Sequence, residues 1–370
     1  MRNVKLSRRS RWAVPAGALA VTGALIAGVP ALMSSAAAAP ALPAKTPAQL
    51  LAQLAGEHQA PPPLTGTITE TVSLGLPKLP DTGNPNSITS LLTGSHTVNI
   101  WYASPKSYRL SLPQSESETD VYREGTTAYL WQSTSNSVAK FVLPDRADTT
   151  EPVTGTPLTP QQAADEALAL LGKSTNVTVA SNETVAGQAA YTLVLSPKAS
   201  GSLIGQVAIA IDAKNNVPLQ VQLYARGAST PAISVGFTNV SFTRPSAADL
   251  SFTPPATAKI TTVNGQPGEN ATGRPDVATT GSGWLTVAEL PSSLLNEAAS
   301  ANTGNGTGVQ GASAAEASAG LNALVNDATP VSGSWGSGSI IKTSLLTILI
   351  TGNKVYVGAV DPSVLYAAAK

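Results

Sequence analysis

The chain has 370 residues, with 22 basic and 22 acidic side chains, two histidines and no cysteine. That length allows one large domain or two ordinary ones with ample core, and the lack of cysteine excludes disulfides and a thiol nucleophile. Only 12% of the residues are charged, about half the usual ~25%, so Ser, Thr, Asn and Gln carry most of the polar surface.

Arg2, Lys5, Arg8, Arg9 and Arg11 form a cationic start without an acidic residue. Trp12 to Met33 is apolar and small, and Ser34-Ser35-Ala36-Ala37-Ala38-Ala39 offers a small-residue cleavage site. Residues 1–39 are therefore expected to be a secretory signal peptide rather than an uncleaved anchor, because Pro15 and Pro30 bracket a short apolar core. Arg8-Arg9 hints at the twin-arginine route, but Arg11 stands where an apolar residue is wanted, so the choice between Sec and Tat stays open. No cysteine follows the apolar core, which excludes a lipid anchor there. Without these residues 17 basic side chains face 22 acidic ones, a net of −5. A mildly acidic product is a poor nucleic-acid binder. No other segment reaches the ~18 apolar residues of a membrane span, so the product is expected to be exported and soluble, in the cell envelope or outside it.

After a Pro- and Ala-rich lead, Thr46 can cap a helix, Pro47 suits its first position, and Leu50, Leu51 and Leu54 form its apolar face; Pro61-Pro62-Pro63 ends it. The period then becomes two. Ile68, Val72 and Leu74 alternate with Thr and Ser, and after a Pro-rich loop Val98, Ile100 and Tyr102 do the same, followed by Tyr108, Leu110 and Leu112. Residues 120–144 read as short strands cut by Gly125 and by Ser133-Thr134-Ser135-Asn136. Thr159-Pro160 opens a second helix bearing Ala164, Leu168, Leu170 and Leu171, which Gly172 closes. Strands resume near Val177, Ala190–Leu195, Val207–Ile211, Leu219–Leu223 and Ile233–Phe242. With about ten strands and no crossover helices between them, the sheet is expected to be mainly antiparallel, and long enough to curl. Residues 261–283 read as a linker. A small α/β region spans 284–370, with a flexible Ala-, Ser- and Gly-rich insertion near 298–320, a hairpin turning at Thr351-Gly352-Asn353, and a terminal helix after Asp361-Pro362.

Catalytic constellations are not found. There is no Gly-x-Ser-x-Gly elbow, and His58 and His96 stand in no spaced ligand pair. Gly172-Lys173-Ser174 closes a helix, whereas a phosphate-binding loop opens one, and its partner glycine would fall on Ala167. The pairs Glu116/Glu118 and Asp165/Glu166 read as solvated surface rather than glycosidase carboxylates. Neither an enzyme nor a cofactor or metal site is expected. Trp101 and Tyr102 point to opposite faces of one strand, as do Leu130 and Trp131, so one of each pair is expected in a core or cavity.

Three local patterns carry a resemblance. Tyr122-Arg123-Glu124-Gly125-Thr126-Thr127-Ala128-Tyr129-Leu130-Trp131 is similar to the strand–turn–strand of the LolA-like superfamily. Asn215-Asn216-Val217-Pro218-Leu219-Gln220-Val221 is similar to its turn-Pro-Leu segment. Phe237–Phe242 followed by Leu250-Ser251-Phe252-Thr253-Pro254-Pro255 is similar to its closing strand and F-x-P-P ending. That superfamily includes outer-membrane lipoprotein carriers, lipid-carrying lipoproteins and RseB/MucB regulators of envelope stress. The resemblance covers roughly residues 45–260, and the anchoring cysteine of many lipid-carrying relatives is absent.

The resemblance implies an α+β fold over residues 40–260, a curved, mainly antiparallel incomplete barrel with helices over its concave face. It implies an exported carrier for lipid or lipoprotein acyl chains, or alternatively an RseB/MucB-like regulator that senses lipid and binds a membrane anti-sigma partner through residues 284–370. The partners implied are a lipid or acylated protein and a membrane-associated donor or regulator, without nucleic acid. The alternation points to Leu51, Leu54, Ile68, Val72, Val98, Ile100, Leu110, Leu168, Leu171, Val221 and Leu223 as the cavity lining. Each buried methylene contributes about 0.8 kcal/mol, so one long acyl chain gains on the order of 10 kcal/mol before ordering costs, with no need of a catalytic group.

Overall fold

Thirteen strands hydrogen-bond into one open sheet in the computed structural model of the protein. The structure describes residues 39–56, 60–75, 93–114, 116–143, 159–162, 164, 174–264, 277–293 and 328–370. The expected signal peptide up to residue 38, the insertion at 298–320 and the candidates Leu168 and Leu171 lie outside the described residues.

The first helix, α1 (Pro47–Gly56), begins as its sequence predicts. Thr46 Oγ1 accepts from the Gln49 backbone N–H at 3.2 Å, and Gln49 Oε1 accepts from the Thr46 N–H at 2.8 Å, a reciprocal capping box. The same Thr-Pro-x-Gln pattern recurs where residues 160–162 turn helical, with Thr159 and Gln162 exchanging bonds of 2.9 and 3.2 Å.

The large sheet contains β1 (Leu64–Ser73), β2 (Thr93–Ser104), β3 (Ser107–Pro113), β4 (Glu118–Glu124), β5 (Thr127–Gln132) and β6 (Ser137–Val142). After the second helical segment come β7 (Thr175–Val179), β8 (Glu183–Val185), β9 (Gln188–Pro197), β10 (Ile204–Asp212), β11 (Pro218–Ala225), β12 (Ile233–Ser241) and β13 (Lys259–Asn264). Their order is β13-β6-β5-β4-β3-β2-β1-β12-β11-β10-β9-β7, with β8 paired to β9. β1 thus lies mid-sheet, between its sequence neighbour β2 and the distant β12. Every pairing is antiparallel except β13 on β6. The described residues are mostly strand, with few and short helices, so the sheet dominates the expected α+β character.

Turn chemistry explains much of the local order. Gly125 takes φ +60° between β4 and β5, and Asn136 takes +45° between β5 and β6. The two-residue turn joining β8 to β9 puts both Ala186 (+50°) and Gly187 (+79°) in the left-handed region. Gly66 answers a different need. A Cβ there would lie 2.5 Å from the Asn239 carbonyl oxygen and 2.9 Å from Phe237 Cδ1, beside the irregularity where β1 and β12 shift register.

A second, six-stranded sheet has the order β14 (Ala278–Thr280), β15 (Val287–Pro291), β19 (Lys354–Gly358), β18 (Thr347–Ile350), β17 (Gly336–Lys342) and β16 (Thr329–Gly333). Its core of Val287, Ile340, Leu349, Tyr356 and Val360 is closed by Leu365 of a C-terminal helix, Pro362–Ala368. Residues 261–264 and 278–280 of the expected linker are strand, in β13 and β14 respectively.

The two sheets belong to one compact unit, residues 39–370. Trp284, at the expected start of the second region, buries its indole among Leu50, Leu54, Tyr191 and Leu193 of the first. Leu345 packs on Val72, Leu74, Ala225 and Ala232. The Leu203 N–H donates to the Ala359 carbonyl at 2.8 Å, and the Asp361 N–H donates to that of Gly201 at 2.8 Å.

Candidate functional site

Residues directly opposite in an antiparallel ladder project to the same face. The register therefore traces one face across the whole large sheet. One row reads Val179, Leu193, Ile209, Val221, Val235, Glu70 and His96. The next reads Val177, Leu195, Val207, Leu223, Ile233 and Val72. Ile68 stands opposite both Phe237 and Val98. Past Val98 the face continues through Ile100, Leu110, Val121, Leu130 and Ala139.

All seven strand residues expected to line a cavity, Ile68, Val72, Val98, Ile100, Leu110, Val221 and Leu223, share this face. They fall into neighbouring clusters. Val221 and Leu223 pack with Leu50, Leu51 and Leu54 of α1, and Ala164 of the second helical segment joins them. Ile68, Val98, Ile100 and Leu110 pack with Phe237 and Val235. Val72 meets Leu345 from the second sheet instead of a helix. Leu50, not among the expected lining residues, is the most deeply buried of the α1 leucines at 0% exposure. Its spacing from Leu54 was a sufficient sign, since i and i+4 share a helix face.

Two ionisable groups interrupt the apolar rows. Glu70 and His96 are directly opposite each other on β1 and β2. Burial raises the Glu70 carboxyl above its ordinary value and lowers the His96 imidazole below its own. In both cases the fold disfavours the charged form.

The reverse face of β2–β6 is chemically different. Trp101, Arg109, Tyr122, Tyr129 and Lys140 form one row on it, and Asn99, Ser111, Asp120, Trp131 and Val138 form the next. Arg109 Nη2 lies 2.6 Å from Asp120 Oδ2 and 3.3 Å from Glu118 Oε1, with its guanidinium 4.7 Å from the Trp101 ring centroid. Burial pushes the Asp120 carboxyl up, while a bond from the Ser111 hydroxyl holds that of Glu118 down. The chain then covers this face itself. After the short α2 (Ala247–Leu250), Phe252 stacks on Tyr122 at 4.6 Å and lies 5.3 Å from Tyr129, while its N–H donates to Glu124 Oε1 at 2.7 Å. Phe252 of the F-x-P-P segment thus packs over Tyr122, Tyr129 and Trp131. Among the described residues no group of three or more His, Asp or Glu is placed to hold a metal ion, and no helix is long and apolar enough to cross a membrane.

No protein-family model matches the chain, and no curated protein matches it. Solved structures similar to it include the MucA/MucB complex of Pseudomonas aeruginosa, at 15% identity over 87% of this chain and 96% of that one, TM-score 0.40. They include a LolA-superfamily protein of Nitrosomonas europaea, at 8% identity over 56% of this chain and 99% of that one, TM-score 0.23. A conserved protein of Thermus thermophilus is similar at 9% identity over 58% and 98% of the two chains, TM-score 0.32. The first two carry the names of families that the strand and turn motifs resemble. Superposition this loose carries no functional argument, and the reading of the site rests on this chain's own geometry.

Proposed function

We propose that the chain is an exported, non-catalytic carrier that shelters acyl chains of a lipid or lipoprotein between the apolar face of its curved sheet and the helices that cover it. The single observation that supports this is the asymmetry of the two faces at β2–β6. The reverse face is closed by the chain's own Phe252 and α2, whereas the forward face offers the row Ile100, Leu110, Val121, Leu130 and Ala139, of which Ile100, Leu110 and Ala139 remain partly exposed. An apolar surface gains about 25 cal/mol for each Å² removed from water, so an acyl chain laid along this row needs no catalytic group to be held. Native mass spectrometry of protein purified without detergent tests the reading. Co-purified or added lipid retained at one or two copies per chain is expected; protein that retains none, even after incubation with acyl lipid, overturns it.

A second reading, an envelope-stress regulator, draws on the docking of the two sheets. Trp284 and Leu345 tie the second sheet to the clusters beneath α1 and beside Val72. Occupancy of the first sheet would then be felt in the second, where residues 284–370 would meet a membrane-associated partner. Capture of a membrane protein by the full chain, changed by added lipid, is the outcome that favours it.

A further inference from the structure

Arg123 on β4 is a buried cation with no ion pair among the described residues. It is 4% exposed, and its Nε has no hydrogen-bond partner. The register puts it opposite Tyr108 on one side and Ala128 on the other, hence on the apolar face, with Tyr102 beyond Tyr108 and Phe141 beyond Ala128. All three carboxylates of β4 lie on the other face. Glu118 and Asp120 hold Arg109 there, and Glu124 holds the Phe252 N–H. No described residue of β2, β3, β5, β6 or β13 on the Arg123 face is acidic. The contrast with Arg109, which has two carboxylates and two aromatic rings, is complete within one pair of strands.

Burying a guanidinium away from any counter-charge is costly, and the fold holds this one beside an apolar cluster of Val121, Ala128, Leu130 and Phe141. The row Ile100, Leu110, Val121, Leu130, Ala139 begins two residues along β4, about 7 Å from Arg123, and crosses five strands over about 19 Å, the reach of a long acyl chain. Tyr108 stands beside Arg123 in its row and Tyr102 beyond Tyr108; burial raises both phenols, that of Tyr102 to about 12, so each keeps its proton and can donate a hydrogen bond.

We propose that Arg123, with Tyr108 and Tyr102 beside it in its row, receives the anionic head group of an acyl lipid whose tail lies on the Ile100–Ala139 row. This deepens the carrier reading and rests on it. The guanidinium supplies the planar pair of donors that suits a carboxylate or phosphate, and the bound oxyanion supplies the counter-charge that no described residue of the surrounding strands provides.

The test uses the full chain stripped of lipid and two probes of equal length, palmitate and 1-hexadecanol, each displacing Nile red. Wild type is expected to bind palmitate at least about tenfold more tightly than hexadecanol, as a charge-assisted hydrogen bond implies. Arg123→Gln is expected to lose that preference and keep its hexadecanol affinity. Equal binding of the two probes by wild type, or a preference that survives Arg123→Gln, overturns the anion site and leaves the carrier reading standing. Binding of neither overturns both. A second measurement does not depend on the Gln variant folding well. Arg123→Met is expected to raise the thermal midpoint of the stripped protein, because it removes a buried charge that no described residue balances. A lowered midpoint would mean the guanidinium is already balanced in the empty protein, and would overturn the proposal.

Discussion

The indole Nε1–H of Trp284 donates to Thr175 Oγ1 at 2.7 Å, within the apolar cluster beneath α1. One side chain from the second sheet thus completes the core of the first. Trp284→Ala is expected to cost about 3–5 kcal/mol, the usual range for deleting a buried large aromatic. Urea unfolding of the variant should split into two transitions where wild type shows one. A single transition with an unchanged midpoint would contradict the docking role.

Arg109 balances Asp120, which is 2% exposed and whose Oδ1 has no hydrogen-bond partner. Arg109→Met leaves a buried carboxylate uncompensated, at a cost of about 3 kcal/mol near pH 7. Burial raises the Asp120 pKa in the fold, so its carboxyl takes up a proton at higher pH than in the unfolded chain, and the loss should shrink as pH falls through that raised range. Denaturation of both proteins at pH 7 and pH 4.5 checks the sign.

Glu70 and His96 have opposite linkages. The folded His96 binds its proton more weakly than the unfolded chain does, so its contribution is fully present above about 6.5 and stability is lost as pH falls below that. Glu70 has a raised pKa, so the fold regains stability as pH falls through that raised value toward 4.5. His96→Gln should flatten the decline between pH 7.5 and 5.5. Glu70→Gln should remove the recovery at lower pH. Thermal midpoints from pH 7.5 down to 4.5 read both.

Gly66→Ala places a methyl against the Asn239 carbonyl and the Phe237 ring, so β1 or β12 must move at the centre of the sheet. A loss of at least about 2 kcal/mol is expected. Hydrogen exchange should show it first in β1 and β12.

Ala186 holds a left-handed conformation that costs a non-glycine residue roughly 1–2 kcal/mol. Ala186→Gly should therefore stabilise the protein by about 1 kcal/mol, less the packing lost from its methyl, against the usual penalty for glycine. Equilibrium unfolding in urea measures the gain.

What the sequence determined alone was local. Thr46-Pro47 and Thr159-Pro160 start helices because a hydroxyl cap and a preset φ act within one turn. The alternation of Ile68, Val72, Val98, Ile100, Leu110, Val221 and Leu223 assigned each to one side of its own strand, because the period of two is a property of the extended backbone. That these seven share a single face depended on which strands are neighbours. The pairing of β1 with β12, the parallel return of β13 onto β6 and the burial of Trp284 under α1 join residues far apart in the chain, and local periodicity holds no record of them. The two arginines show the same limit. In sequence Arg109 and Arg123 each follow a tyrosine within a strand, Tyr108 and Tyr122. Alternation along β4 puts its three carboxylates on the face opposite Arg123, and the register sets Arg109 on theirs, beside Glu118 and Asp120.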